Sequence, residues 1–253
     1  MMLGQGPTER FSSRVEHYVR FRPGYPKEVI KVLQEECALR LDSLVADVAS
    51  GTGIFTRLLL ENGNRVLGVE PNADMRRAGE EYCAEFPNFT SVTGTAETTT
   101  LEDHSVDIVT AAQAAHWFDR DKSLVEFRRI LKPGGYLVLL WNDRLIDSPG
   151  FNQDYEQLVL RYGTDYSEVK RRDAAAAEFL EGIPHKKRIL PNRQQMDFEA
   201  LQGRLLSSSY IPQPGEPSYV QMILDLRRLF DRYQSDGHVQ MGYDTKVYYT
   251  SFA

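Results

Sequence analysis

Short apolar segments alternate with segments of helical periodicity between residues 26 and 142, and this alternation limits the possible folds more than any other feature of the chain. The predicted strands cover residues 44–48, 65–69, 89–92, 106–111 and 136–141. The segments between them carry apolar residues at the three- to four-residue spacing of helices. Such alternation predicts a parallel sheet with helices on both faces, because each connection between neighbouring parallel strands has to cross over the sheet.

The alternation ends after Asn142. Residues 143–183 and 197–236 are predicted to form a helical cap, and residues 188–196 and 238–252 are predicted to be C-terminal strands that complete the sheet. We therefore expect one α/β domain over residues 1–253. Its sheet has seven strands, mostly parallel, with an antiparallel last strand, and residues 1–25 precede the core at 26–142 as a lid.

The composition argues against several classes of partner. The net charge of −6 provides no global basic field, so no nucleic-acid partner is expected. The only two cysteines, Cys37 and Cys83, are too few for a disulfide framework or a zinc site and suit a reducing compartment. Neither a signal peptide nor an apolar segment long enough for a bilayer is evident, so we predict a soluble cytoplasmic protein without a membrane partner.

A glycine-containing loop, Asp47-Val48-Ala49-Ser50-Gly51-Thr52-Gly53, joins the first predicted strand to a helix. Glycines allow a ligand to approach the backbone closely, and the helix that follows offers unpaired N–H groups. Glu70 closes the next predicted strand, where a carboxylate can accept the hydroxyls of a ribose. Both features fall at the carboxyl edge of the predicted sheet, which is where open α/β sheets bind ligands. The pattern predicts a nucleoside-containing ligand.

Two kinds of ligand compete for this loop. The run from Gly51 to Thr56 resembles the dinucleotide pattern G-x-G-x-x-G except for its last position, so an NAD-binding oxidoreductase stays an alternative. Asp47 favours another ligand, because a carboxylate about 4 Å from a phosphate is repelled by about 4 kcal/mol at an effective dielectric near 20. The same carboxylate favours the ammonium and sulfonium groups of S-adenosylmethionine. A third interpretation is a tight turn that binds no ligand, but it would not explain why an acid, Glu70, closes the next strand.

Further motifs follow in a fixed order along the chain. They are Tyr18 with Arg22-Pro23-Gly24-Tyr25-Pro26, the loop at 47–53, Val69-Glu70-Pro71 with Met75, Gly94-Thr95-Ala96-Glu97, Ala111-Ala112-Gln113-Ala114-Ala115-His116-Trp117-Phe118, Leu131-Lys132-Pro133-Gly134-Gly135 and Trp141-Asn142, with weaker matches at Ser208-Ser209-Tyr210 and Tyr243-Asp244-Thr245. The chain thus resembles class I S-adenosylmethionine-dependent methyltransferases of the type-11 group, with their Rossmann-like sheet. It is similar to the small-molecule branch that includes trans-aconitate methyltransferases. Ala49 departs from the family pattern, which often has glycine there, and its methyl group is accommodated if its φ is negative.

The resemblance implies a role for each matching residue. Asp47 and the loop would face the methionine part of the cofactor, and Glu70 would hold the ribose. Pro71 and Met75 would flank the adenine, Gln113 and Ala114 would lie near the transferable methyl, and Tyr18 and Arg22 would form a lid over the cofactor carboxylate. The full set of implied cofactor contacts is Tyr18, Arg22, Asp47, Ala49, Ser50, Gly51, Thr52, Gly53, Glu70, Pro71, Met75, Thr95, Ala96, Glu97, Gln113 and Ala114.

The acceptor side is less clearly marked. Its candidate residues are His116, Trp117, Trp141, Arg144 and Tyr210. His116 either orients or deprotonates an acceptor or is a hydrogen-bonded structural residue. Arg144 is expected in a surface salt bridge rather than against an acidic acceptor.

The family resemblance implies a small-molecule acceptor, with a carboxylate as one option that needs no general base. A cofactor-binding regulator without turnover is a further alternative. No metal is expected, because Asp103, His104 and Asp107 lack the spacing of ligands. The chain is expected as a monomer or homodimer.

Overall fold

The computed structural model describes residues 20–164, 175–208 and 210–252. Its seven strands form one sheet in the order β3-β2-β1-β4-β5-β7-β6. The strands are β1 (Leu44–Val48), β2 (Arg65–Val69), β3 (Phe89–Val92), β4 (Val106–Ala112), β5 (Leu131–Arg144), β6 (Lys186–Met196) and β7 (Val239–Ser251). Strands β1 to β5 pair in parallel, whereas β7 pairs antiparallel with both β5 and β6. The predicted fold class is therefore confirmed, including the antiparallel last strand.

Helices follow the strands as the periodicity predicts. They are α1 (Glu28–Glu36), α2 (Ile54–Glu61), α3 (Ala73–Tyr82), α4 (Arg120–Ile130), α5 (Phe151–Tyr162), α6 (Ala175–Phe179), α7 (Phe198–Leu206) and α8 (Tyr219–Tyr233). Side chains at the starts of three of them accept backbone hydrogen bonds: Asn72 caps α3, Asp119 caps α4 and Asp197 caps α7. These caps satisfy N–H groups that a helix leaves without an internal partner.

Alternating residues of the central strands separate two apolar cores, one on each face of the sheet. Val45 and Ile108 pack with α1 and α2, while the neighbouring Ala46 and Val109 pack with α4. This alternation follows from the two-residue repeat of a strand. The central strands are consequently apolar on both sides, as is usual for parallel sheets covered by helices.

A third core lies beyond the sheet, where α5, α7 and α8 gather around the ends of β6 and β7. Tyr155 and Leu226 are fully buried there, together with Met241 on β7. The region predicted as a single cap is divided in the structure. Residues 151–162 belong to the third core, but Phe179 and Leu180 pack under the sheet with Phe127 of α4. The short apolar run around α6 therefore extends the sheet core.

Strand β5 is longer than predicted. It begins at Leu131 rather than Tyr136, because Leu131 already pairs with Val106 before an irregularity shifts the register. Pro133 lies within this irregular stretch, where a missing ladder hydrogen bond is tolerated. The C-terminal end of β5 extends to Arg144 and pairs with β7 over its full length. This extension carries Trp141 to Arg144 to the edge of the sheet near the cap.

Candidate functional site

A cavity of about 440 Å³ opens at the carboxyl ends of β1 and β4. These two strands mark the point where the strand order reverses, which is the usual ligand position in open α/β sheets. The cavity is bordered by the loop after β1, the end of β4, the end of β5 and residues of the third core. The residues of the predicted site that line it are Arg22, Asp47, Ala49, Ser50, Gly51, Thr52, Gln113, His116, Trp117, Trp141, Arg144 and Tyr210.

The loop after β1 takes an unusual backbone conformation. Ala49, Gly51 and Gly53 have φ values of +55°, +56° and +81°. The condition under which Ala49 was expected to fit, a negative φ, is thus wrong, and its methyl group is held in a left-handed conformation that disfavours L-residues by about 1–2 kcal/mol. The loop also packs tightly on α3, since a Cβ on Gly79 would lie 3.1 Å from the Gly51 carbonyl oxygen.

Asp47 is fully buried at the base of the cavity. Its two carboxylate oxygens accept hydrogen bonds from the hydroxyls of Thr56, at 2.6 Å, and Thr110, at 2.8 Å. Thr110 is its register partner on β4, so this bond joins the two strands beside the cavity. Burial raises the pKa of Asp47 to about 6, against the threonine hydrogen bonds that lower it. A cation brought to this carboxylate would favour its ionised form.

Thr52 supplies a hydroxyl that the described part of the chain does not use. Its side chain is 1% exposed, yet its Oγ1 has no hydrogen-bond partner among the described residues. Thr52 also lines the cavity. Buried hydroxyls are nearly always hydrogen-bonded, so an unpaired one at a cavity wall is available to a polar group that enters the cavity.

Glu70 closes β2 and holds the loop in place. Its Oε2 accepts from the backbone N–H of Gly51 and its Oε1 from that of Asn72, both at 2.9 Å. Burial raises the pKa of this carboxyl group, while the two backbone bonds oppose the rise. Glu70 does not itself line the cavity. It is hydrogen-bonded to Gly51, and Gly51 does line the cavity.

Several other predicted cofactor contacts also lie outside the cavity wall. They are Gly53, Pro71, Met75, Thr95, Ala96, Glu97 and Ala114. Met75 is buried, and its Cε lies 3.4 Å from the position of a Cβ built on Gly51. Glu97 accepts from the N–H of Asp119 at 2.9 Å, which ties residues 95–97 to the start of α4. Tyr18 lies outside the described residues.

The segment after β4 brings Gln113, His116 and Trp117 to the opposite wall, and β5 adds Trp141. Gln113 has a φ of +58°, a conformation that non-glycine residues seldom adopt, and its Nε2 donates to the Asn142 carbonyl at 3.3 Å. The His116 ring lies 4.5 Å from the Trp117 ring and 5.3 Å, edge-on, from the Trp141 ring, measured between centroids. All four side chains line the cavity. This geometry suits both a role for His116 at the acceptor and a packing role.

The segment before α1 covers one side of the cavity. The Nη2 atom of Arg22 donates to the Ser207 carbonyl at 3.1 Å, and Gln194 donates to the Phe21 carbonyl at 2.8 Å. Phe21 is buried against Gly203, where an added Cβ would lie 2.1 Å from its ring. Residues 20–22 are thus docked on α7 and β6.

Arg144 lies in a buried ion pair rather than the surface salt bridge that was predicted. Its Nη2 lies 2.5 Å from Glu156 Oε2, and the two side chains are 12% and 4% exposed. The sequence did not point to Glu156 or Arg204, which also line this part of the cavity, whereas Tyr243, which lines it too, belongs to a weak family match at residues 243–245. These residues come from α5, α7 and β7, and no motif links them along the chain.

The described residues also bear on other kinds of site. Within the three described ranges, no group of three or more His, Cys, Asp or Glu side chains is placed to hold a metal ion. No helix in those ranges is long and apolar enough to cross a membrane. Cys37 and Cys83 are both free and buried, and burial raises their pKa values to about 12 and about 11.

Comparisons with known proteins identify the matched part of the chain. Residues 46–139 match the family model described as a methyltransferase domain. An uncharacterised methyltransferase of Mycobacterium tuberculosis is 42% identical over 134 residues, which are 53% of this chain and 52% of that protein. The chain thus spans about half the length of this curated relative.

Solved structures agree on the fold. A candidate type II methyltransferase from Anaeromyxobacter dehalogenans superposes with a TM-score of 0.70 at 22% identity, covering 91% of this chain and 98% of that one. A Haemonchus contortus phosphoethanolamine N-methyltransferase, solved with phosphomonomethylethanolamine and S-adenosylhomocysteine, gives a TM-score of 0.51 at 16% identity and covers 95% and 57%. The segment that matches the methyltransferase-domain model, residues 46–139, includes the loop after β1 and the end of β4.

Proposed function

We propose that this protein transfers a methyl group from S-adenosylmethionine to a small-molecule acceptor. The observation that carries the proposal is the loop between β1 and α2, which presents a buried carboxylate, Asp47, and an unpaired buried hydroxyl, Thr52, to one cavity. This loop lies inside the segment that matches a methyltransferase domain. A phosphate-bearing dinucleotide fits the same loop less well, because Asp47 would repel it.

The donors and acceptors around the loop fit the cofactor. Asp47 offers negative charge to a cationic group, and the Thr52 hydroxyl offers a hydrogen bond to a polar one. Glu70 accepts from the Gly51 N–H, and the Cε of Met75 lies 3.4 Å from the position of a Cβ built on Gly51, so a ligand seated on the loop and extending past Gly51 would approach both side chains. On this basis we assign the ribose to Glu70 and the adenine to Pro71, Met75 and residues 95–97.

The chain's own residues bind, orient and exclude water. When bound, S-adenosylmethionine supplies a methyl group on a sulfonium leaving group. The Trp117 and Trp141 rings and Gln113 form the wall opposite the loop, which keeps that side of the cavity apolar and fixes the approach of an acceptor. Orientation of this kind accounts for a large part of the rate enhancement in displacement reactions.

The acceptor in this proposal is a small anion, with a carboxylate as the favoured class. Arg22, Arg144 and Arg204 all border the cavity, and an ionised carboxylate attacks without prior loss of a proton. His116 is then an orienting residue. If the acceptor is instead an alcohol or amine, His116 is the side chain in the wall that is suited to remove its proton.

Calorimetry and a labelling experiment test the proposal. We expect S-adenosylhomocysteine to bind and NAD to give no heat; binding of NAD alone would replace the proposal with an oxidoreductase. Incubation with labelled S-adenosylmethionine and a metabolite extract, followed by mass spectrometry, is expected to yield a labelled small molecule. Cofactor binding without any labelled product would favour a regulatory protein.

A further inference from the structure

Arg204 on α7 is a buried cation without a carboxylate partner in the described parts of the chain. Its side chain is 5% exposed, and its Nη1 donates a long hydrogen bond of 3.4 Å to Ser208 Oγ. Its Nε is buried and meets no acceptor among the residues that the structure describes. Arg204 nevertheless lines the cavity.

The charges nearest to Arg204 do not neutralise it. Arg144 is also close enough to interact electrostatically with Arg204, but Arg144 is already matched by Glu156 at 2.5 Å. The other groups that interact with Arg204 are the phenols of Tyr155, Tyr210 and Tyr243, none of which is a carboxylate. Arg144, Arg204 and Glu156 together thus carry two guanidinium groups and one carboxylate.

Besides Glu156, four carboxylates line the cavity. Asp47 is bonded to Thr56 and Thr110 at the base of the loop, and Asp143 pairs with Lys246. Asp244 also interacts electrostatically with Lys246, and Asp147 is exposed. A guanidinium buried without a counter-charge is unfavourable, because it loses hydration that nothing replaces. The planar fork of arginine matches a carboxylate in two parallel hydrogen bonds.

We propose that Arg204 is a specificity-determining residue that binds a carboxylate group of the methyl acceptor. This inference rests on the proposed function for the identity of the bound molecule, but the anion site itself does not depend on methyl transfer. The carboxylate held by Arg204 anchors the acceptor and is not the group that is methylated, because both of its oxygens would be engaged by donors. The tyrosines around Arg204 then limit the size of the anchored end.

Substitution of Arg204 separates this role from a structural one. We expect Arg204→Met to leave the thermal unfolding midpoint of the unliganded protein unchanged or higher, because a buried unpaired charge is removed. An arginine that holds the fold together would lower the midpoint when replaced. Arg193→Met serves as the matched control, since Arg193 is exposed on β6 outside the cavity wall.

The ligand probes are succinate, glutarate and adipate, each compared with its diamide. We expect at least one dicarboxylate, and none of the diamides, to raise the midpoint of the wild type and of Arg193→Met. In Arg204→Met the apparent affinity for that acid should fall by roughly 30-fold or more, as expected when one partner of a buried charge pair is removed. Arg204→Lys keeps the charge and loses the fork, so we expect a partial loss.

The affinity for S-adenosylhomocysteine distinguishes the source of the carboxylate. We expect it to be the same in the wild type and in Arg204→Met. A weaker affinity in the variant would assign Arg204 to the amino-acid carboxylate of the cofactor and overturn the proposal. Equal effects of acids and diamides, or a lowered midpoint for Arg204→Met, would also overturn it. Failure of the wild type to bind S-adenosylhomocysteine would refute the proposed function instead, and the acid–diamide comparison would still report on the anion site.

Discussion

At the residue scale, Ala49 shows where the loop departs from its most stable sequence. Its φ of +55° places an L-residue in a left-handed conformation. Ala49→Gly relieves about 1–2 kcal/mol of steric cost, less the roughly 0.5–1 kcal/mol of extra chain entropy that glycine loses on folding. We expect the free energy of unfolding to rise by about 0.5 kcal/mol in a denaturant titration.

Ala84→Gly is the matched control for this prediction. Ala84 is exposed just after α3, and its φ is not positive. The same substitution there gives flexibility without relief of strain, so the unfolding free energy should fall by about 0.5–1 kcal/mol. If Ala49→Gly destabilises as much as Ala84→Gly, the left-handed conformation of Ala49 is not strained.

The titration of Asp47 gives a second prediction at this scale. Burial raises its folded-state pKa to about 6, from 3.8 for the free side chain. The folded chain therefore binds this proton more tightly than the unfolded chain does. The resulting stabilisation is complete below about pH 3.8 and is lost as the pH rises through about 6. In Asp47→Asn we expect this part of the pH dependence of unfolding to disappear.

Ligand affinity should depend on the same carboxylate, but it should rise over the pH range in which the stabilisation by Asp47 is lost. S-adenosylhomocysteine carries an ammonium group, so its affinity should increase between pH 5 and pH 7 as Asp47 ionises, by at most about tenfold per pH unit below the pKa. Calorimetry at several pH values measures the change, and Asp47→Asn is expected to show a flat profile. A flat profile in the wild type would place the ammonium away from Asp47.

At the scale of single elements, residues 20–25 border the cavity and are held in place by the packing of Phe21 on α7. Gly203 on α7 leaves room for the Phe21 ring, since a Cβ would lie 2.1 Å from it. Gly203→Ala should displace Phe21 and lower the unfolding free energy by about 1–3 kcal/mol, the usual cost of overpacking. If this segment is a lid, the affinity for S-adenosylhomocysteine should fall as well.

Gly24→Ala provides the comparison within the same segment. A Cβ on Gly24 would meet nothing within 4 Å, and its φ is not positive. We expect stability and affinity close to those of the wild type, measured by thermal unfolding and calorimetry. Unchanged cofactor affinity in Gly203→Ala, despite lowered stability, would mean that residues 20–25 serve the fold alone.

Local elements could be predicted from the sequence because their signals are local. Strands β1 and β2 have the predicted bounds, since apolar runs and the glycines at 51 and 63 delimit them. The loop and its acid could be placed at one edge of the sheet for the same reason. The start of β5 was mispredicted because Pro133-Gly134-Gly135 usually ends an element, and only pairing with β4 extends the strand through it.

Contacts between distant elements could not be predicted in this way. Arg144 and Glu156 meet because β5 continues to Arg144, beyond its last pairing with β4, and α5 places Glu156 beside that end. Arg204 has no motif around it, and its importance follows from burial and from missing partners, which are three-dimensional properties. Glu156 and Arg204, which the elements of the third core contribute to the cavity wall, could therefore not be predicted from the sequence.

At the scale of the whole molecule, the described residues form two cores against the sheet and a third around α5, α7 and α8. Long strands connect them: Met241 of β7 lies in the third core, whereas Val247 of the same strand lies against the sheet. The loop and Asp47 belong to the sheet, and Arg204 and Tyr210 belong to the third core or its border. The two walls of the cavity are thus held in place by different hydrophobic cores.

This arrangement predicts that the two walls can be destabilised separately. Leu226 on α8 is fully buried in the third core, and Leu226→Ala should cost about 2–5 kcal/mol of local stability. In hydrogen exchange we expect faster exchange in α7 and α8, with little change in β1, β2 and β4. Binding of S-adenosylhomocysteine should persist while methyl transfer to the acceptor falls.

Leu59→Ala, the matched change in the sheet core, should accelerate exchange in β1 and β2 and weaken cofactor binding. Equal acceleration of exchange in both regions for either variant would show that the three cores unfold as one unit. The acceptor wall would then be stabilised by the sheet, and a substitution in either core would weaken both cofactor binding and methyl transfer.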